Sequence, residues 1–176
     1  MSGFWIALAA GTVFLLVFSW FSSIRENRLH GYPRFFAFEG VFVLILLNLR
    51  SWFRDPFSPR QILSWILMLS SLAAVSAGFL TLRRHGRAEG NFEKTTRIVD
   101  RGIYGRIRHP MYASLIFLAA GVFLKDVRAV PAVVLAVVTA AALAAARLDE
   151  REMTARFGAA YADYMKRTKR FIPFLW

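Results

Sequence analysis

The sequence predicts an all-α integral membrane protein, a single domain of about five transmembrane helices with a C-terminal helical hairpin and a cytoplasmic amphipathic helix after it. Three observations predict this class. Of 176 residues 57% are hydrophobic and 15% aromatic, and 17 Phe with 5 Trp exceed what a soluble domain of this size could bury. Apolar windows recur at lengths near the roughly 20 residues that a helix needs to cross a hydrocarbon core about 30 Å thick. The basic residues gather between those windows instead of spreading over a surface.

Five windows stand out: Gly3 to Ser23, Phe35 to Leu49, Gln61 to Leu82, Met111 to Leu124 and Ala129 to Ala146. The first has no Lys or Arg before it and no small-residue cleavage site after it, so it reads as a retained span. The third is the cleanest span. The fourth is short for a lone crossing, but only Lys125-Asp126-Val127-Arg128 divides it from the fifth, and the two read as a tight hairpin. The chain thus divides into three N-terminal spans (1–82), a loop carrying a polar motif (83–110), the hairpin (111–146), and a helix with a tail (147–176).

Orientation follows from the positive-inside bias. Arg83, Arg84, Arg87, Lys94, Arg97, Arg101, Arg106 and Arg108 fall between windows three and four, which places that segment in the cytoplasm. Five spans then put the N-terminus outside and the C-terminus inside. Arg25, Arg28 and Arg34 agree with this arrangement, whereas Arg50, Arg54 and Arg60 run against it. The net charge of +12 belongs to these loops and to anionic lipid headgroups, not to nucleic acid. With no Cys, thiol catalysis, thiolate metal sites and disulfides are excluded.

Polar residues at a membrane edge persist where partners, a cavity or a ligand satisfy them. Tyr104, Arg108, His109, Pro110 and Tyr112 form such a cluster at the start of window four. Pro110 suits the first turn of a helix, which leaves Arg108 and His109 beside N-terminal donors that attract anions. A belt of interfacial anchors explains the same residues. Beyond Arg147, at about 100° per residue, Met153, Phe157, Ala160, Tyr161 and Tyr164 share one helix face, with Glu150 in its middle and Asp149 at its edge. Two carboxylates among aromatic rings suit a cationic ligand, or a structural ion pair with Arg108. The tail Lys169 to Trp176 reads as a surface anchor, and Glu39 as a polar lining or interfacial residue. His30 and His85 lie in loops without partners at metal-ligand spacing, so no metal site is expected. No Gly-rich phosphate loop, nucleophile elbow or Gly-x-Gly-x-x-Gly is present.

The motifs Gly102-Ile103-Tyr104, Arg108-His109-Pro110-Met111-Tyr112, Asp149-Glu150-Arg151-Glu152-Met153, Phe157-Gly158, Tyr161, Tyr164 and Arg170-Phe171-Ile172-Pro173 resemble those of the isoprenylcysteine carboxyl methyltransferase and phospholipid methyltransferase superfamily. The resemblance runs from about Thr95 to Pro173. It implies methyl transfer from S-adenosylmethionine to a lipophilic acceptor, an isoprenylcysteine-type carboxylate first and a phospholipid amine second. It implies that Tyr104, His109, Pro110, Tyr112, Asp149 and Glu150 bind the cofactor and that Arg108 and Glu150 are catalytic, with membrane lipids as surroundings and substrate source. Asp149 stands where the family usually has Glu. A non-catalytic membrane protein built on anchors and ion pairs, or a membrane reductase, are the rival readings.

Overall fold

A computed structural model of the chain describes residues 2–26, 28–86 and 96–173. Arg87, Gly90 and Lys94 of the basic loop and the terminal Phe174-Leu175-Trp176 lie outside the described residues. The fold is all-helical: α1 (Ser2–Ser22), α2 (Gly31–Asn48), α3 (Pro59–His85), α4 (Pro110–Phe123), α5 (Ala129–Phe157) and α6 (Ala159–Arg167), with short 3-10 turns at Ile24–Glu26, Leu49–Ser51 and Gly102–Gly105. Among the described residues there is no named strand, only an isolated parallel bridge between Ile107 and Lys169.

Among the described residues four helices, α1, α2, α3 and α5, have the length and apolar composition to cross a membrane. At 14 residues and 1.5 Å per residue α4 reaches only about 21 Å. It compensates by enclosure. Seven of its residues are buried, between α3 on one side and α2 and α5 on the others. The outward faces of α1, α3 and α5 carry exposed Trp5, Phe14, Leu69 and Val133, the surface expected of helices that meet lipid.

Helix boundaries follow local chemistry. Ser58 caps α3 by accepting from the Gln61 N–H, with Pro59 at the first turn. Pro110 opens α4 in the same way. The sequence reading ends the fifth span at Ala146 and starts a new helix at Arg147. The structure instead carries α5 unbroken through Asp149 and Glu150 to Phe157. The break falls at Gly158, whose φ of +57° and ψ of −133° suit glycine. Ala160 is consequently exposed, off the aromatic face where the single-helix reading puts it.

Small residues let the helices approach closely. A methyl on Gly121 would fall 2.9 Å from the Ser64 carbonyl oxygen, and one on Gly40 2.4 Å from a Val138 methyl. Serines add cross-helix hydrogen bonds: Ser64 Oγ to the Gly121 carbonyl at 2.6 Å and Ser71 Oγ to that of Ser114 at 2.7 Å. At the end of the bundle away from the polar motif, buried Lys125 donates to Gln61 Oε1 at 3.0 Å and sits 3.6 Å from the centre of the Trp65 ring. That contact ties the hairpin turn to the start of α3.

Candidate active site

At the opposite end, three stretches of chain meet: the α1–α2 connection, the segment that leads into α4, and the last turns of α5 with α6. The segment 106–109 and the tail are stitched by backbone hydrogen bonds. The Arg108 N–H donates to the Lys169 carbonyl at 2.8 Å, His109 N–H to that of Arg170 at 3.1 Å, and Lys169 N–H to that of Arg106 at 3.0 Å. The tail expected to be a surface anchor is therefore, up to Phe171, part of the site's frame. Phe171 is buried with Ile107, Tyr112 and Ala146 in one apolar cluster.

Glu150 is the electrostatic centre of this frame. Its Oε1 receives Arg108 Nε at 2.9 Å, Arg170 Nε at 3.1 Å and faces His109 Nε2 at 3.3 Å, while Oε2 receives Arg170 Nη2 at 2.7 Å. The Arg108 guanidinium also donates to the Met165 carbonyl at 3.1 Å and to the Thr168 carbonyl. Both the Arg108 and Glu150 side chains are only 10% exposed. Arg108 thus closes the C-terminal end of α6, where carbonyls lack helical partners and favour a cation.

Beside this ion-pair knot lies a cavity of about 190 Å³. Tyr104, His109, Tyr112 and Asp149 line it, joined by Tyr161, Tyr164, Met153 and Phe157. Arg108, Pro110 and Glu150 do not border it. Pro110 is buried against Gly78 of α3, and Glu150 borders a shallow groove with Arg147 and Arg151 instead. The helix face therefore presents Asp149 to the cavity, where the sequence pattern centred Glu150. Deeper in, Phe38, Val75 and Leu115 make the wall apolar.

The aromatic part of the wall is joined by a hydrogen bond and a ring contact. Tyr164 donates its hydroxyl to the Tyr104 carbonyl at 2.7 Å, and its ring lies 5.5 Å from that of Tyr161. Burial, with the Asp149 charge adding to it, pushes the Tyr161 phenol well above its ordinary value. Burial does the same to Tyr164. Both are neutral donors at physiological pH.

The α1–α2 connection supplies residues that the sequence pattern did not bring to the site. Arg28 Nε donates to Glu152 Oε1 at 3.0 Å, and His30 Nδ1 lies 3.1 Å from Glu152 Oε2 and 3.9 Å from Asp149 Oδ1. Asp149 Oδ2 in turn lies 3.6 Å from His109 Nδ1. The donor atoms of His30, Asp149 and Glu152 fall within 4.8 Å of one another. With Arg28 already on Glu152, we read this group as an ion-pair chain. Arg34, one turn into α2, reaches Ser22 and Ser23 at 2.7 and 2.6 Å and also borders the cavity. The only sequence cue to these residues was their charge at a membrane edge. Glu39, a candidate lining residue by its sequence position, accepts from Thr12 of α1 at 2.6 Å and does not border the cavity.

Residues 59–160, more than half of the chain, match a family model described as phospholipid methyltransferase. No curated protein matches the chain.

Proposed function

The chain belongs to the phospholipid methyltransferase family, and we propose that it transfers the methyl group of S-adenosylmethionine to a lipophilic acceptor at the membrane. The observation that carries this reading is the cavity wall. Asp149 stands there among Tyr104, Tyr112 and Tyr161, a carboxylate amid aromatic rings. That donor set fits a ligand bearing ammonium and sulfonium charge, because both the carboxylate and the ring faces attract cations. When bound, the cofactor supplies a methyl group on positively charged sulfur.

The chain's own work is orientation and exclusion of water. Asp149, Tyr104, His109 and Tyr112 would hold the cofactor. Arg108 and Glu150 act one step back, as positioning residues: their ion pair and the Arg170 clamp fix His109 and α6 against the cavity. Phe38, Val75 and Leu115 would take the acceptor's hydrocarbon. Both an isoprenylated carboxylate and a phospholipid amine fit this reading. A carboxylate is ionised already and needs only orientation, whereas an amine must first lose a proton.

The proposed topology has five crossings, with the N-terminus outside and the C-terminus and site in the cytoplasm. Arg83, Arg84, Arg97, Arg101 and Arg106, at the site's end of the bundle, support it. The test is transfer of labelled methyl from S-adenosylmethionine into extracted membrane lipids. Base-labile label identifies an ester and stable label an amine. No transfer into any lipid fraction would remove the reading.

A further inference from the structure

Beyond holding the cofactor, His109 and Asp149 belong to a chain of titratable groups whose other members, His30 and Glu152, have no part in methyl transfer as proposed. This chain runs from the cavity to the surface: His109, Asp149, His30, Glu152. Nδ1 of His109 faces Asp149 Oδ2 at 3.6 Å, His30 Nδ1 faces Asp149 Oδ1 at 3.9 Å and Glu152 Oε2 at 3.1 Å. The imidazoles are nearly enclosed, His30 with 2% of its side chain exposed and His109 with 3%, whereas 38% of Glu152 is exposed. Three members, His30, His109 and Asp149, border the cavity. One end is thus in the cavity and the other meets solvent.

We propose that this chain is a proton exit, with His30 as its essential link, and that it serves acceptors which arrive carrying a proton on the atom to be methylated; the proposal rests on the methyltransferase reading. Alternating carboxylates and imidazoles suit that work, because neutral imidazole takes a proton on one lone pair and releases it again near neutral pH. At 3.6 and 3.9 Å the groups stand just beyond hydrogen-bond distance, within reach of a small side-chain movement. With an ammonium acceptor, the N–H bond breaks and its proton passes to the Asp149 carboxylate. The freed lone pair forms the bond to the methyl carbon, and the carbon–sulfur bond breaks with its electron pair left on sulfur. Asp149 hands the proton to His30 Nδ1, which a small tilt of the ring presents to Glu152, and Glu152 releases it to water.

The surroundings of both rings bear on the pH dependence. His30 is faced by Asp149 and Glu152 of α5, with Arg28 on Glu152. His109 is faced by Asp149 and Glu150, and Glu150 is held by Arg108 and Arg170. Arg34, Arg97 and Tyr161 share the cavity wall. His30 lies outside the matched residues 59–160, so the family match does not extend to it.

The experiment uses the full chain in detergent, S-adenosylmethionine labelled in its methyl group, and a total membrane lipid extract. His30→Gln should lower kcat on the order of a hundredfold near pH 6.5 and come within about twofold of wild type near pH 9, where an amine sheds its proton unaided. Its calorimetric affinity for S-adenosylmethionine should match wild type. Glu152→Gln, which keeps the side chain's size, should behave alike and serves should the first variant fail to fold. Without any ligand, Asp149→Asn should move the imidazole ¹⁵N signals of both His30 and His109 and leave that of His85 in place. A loss equal at both pH values, an unchanged rate, or immobile His30 and His109 signals overturns the exit. A wild-type chain that binds no S-adenosylmethionine overturns the methyltransferase reading and the exit with it, whereas binding with a pH-independent loss overturns the exit alone.

Discussion

Arg108 Nε lies 2.9 Å from Glu150 Oε1, across 42 residues of sequence and two helices. Arg170 closes the other side of the same carboxylate at 2.7 Å, so one acidic side chain joins the segment before α4, the end of α5 and the tail. A carboxylate buried among cations holds its place only while each partner remains. Removal of one leaves charge without compensation in a low dielectric.

Glu150→Gln should therefore lower stability by about 3 kcal/mol, read from unfolding midpoints in detergent. Combined with Arg108→Gln, the double-mutant cycle should return a coupling above about 1 kcal/mol. Each single variant should also lose methyl transfer, with a larger effect on kcat than on affinity for S-adenosylmethionine, because neither residue borders the cavity.

Gly158 joins α5 to α6 at φ +57° and ψ −133°, and open space surrounds the position where a side chain would begin. Gly158→Ala meets no steric neighbour, so its effect is purely conformational. A loss of about 1–3 kcal/mol is expected from that backbone strain. Weaker S-adenosylmethionine binding should accompany it, as Tyr161 and Tyr164 shift off the cavity. Circular dichroism and calorimetry of the one variant read both effects.

Burial holds the phenols of Tyr161 and Tyr164 protonated beyond their ordinary value of 10.0. A folded-state pKa raised above the unfolded one contributes stability that is complete below the unfolded value and is lost as pH rises above it. Alkaline titration followed at the phenolate absorption band should show Tyr161 and Tyr164 resisting ionisation until the protein unfolds. Tyr161→Phe with Tyr164→Phe should delete that late step. A late step of unchanged size would contradict it.

Sidedness can be read directly, because the chain has no cysteine of its own. Phe57, 89% exposed between α2 and α3, and Lys166 on α6 stand at opposite ends of the bundle. In intact cells, Phe57→Cys should react with an impermeant maleimide and Lys166→Cys should not. The reverse pattern would invert the proposed topology.

The helices were legible because their signals are local: apolar length for α1, α3 and α5, Pro110 for the start of α4, the tetrapeptide Lys125 to Arg128 for the hairpin turn. The pairing of Arg108 with Glu150 was also anticipated, since the resemblance put both residues in one site. His30 was not. Its partner Glu152 is 122 residues away, and no local spacing signals a contact made by folding α2 against α5. The division of roles between Asp149 and Glu150, both expected at the cofactor, was not legible for a related reason. Both are adjacent on one helix, and only the packing of α5 decides which faces the cavity and which faces Arg108 and Arg170. Gly158 was visible as a residue, yet as a break it competed with an amphipathic pattern that ran on past it.

Binding of S-adenosylmethionine in the cavity between Asp149 and the tyrosines is tested most directly by calorimetric titration of that compound into the detergent-purified chain, wild type beside Asp149→Asn. Saturable binding of one molecule per chain, weakened about tenfold or more by loss of the carboxylate's charge, is the expected result. No heat of binding to wild type, or equal binding to both proteins, would contradict it.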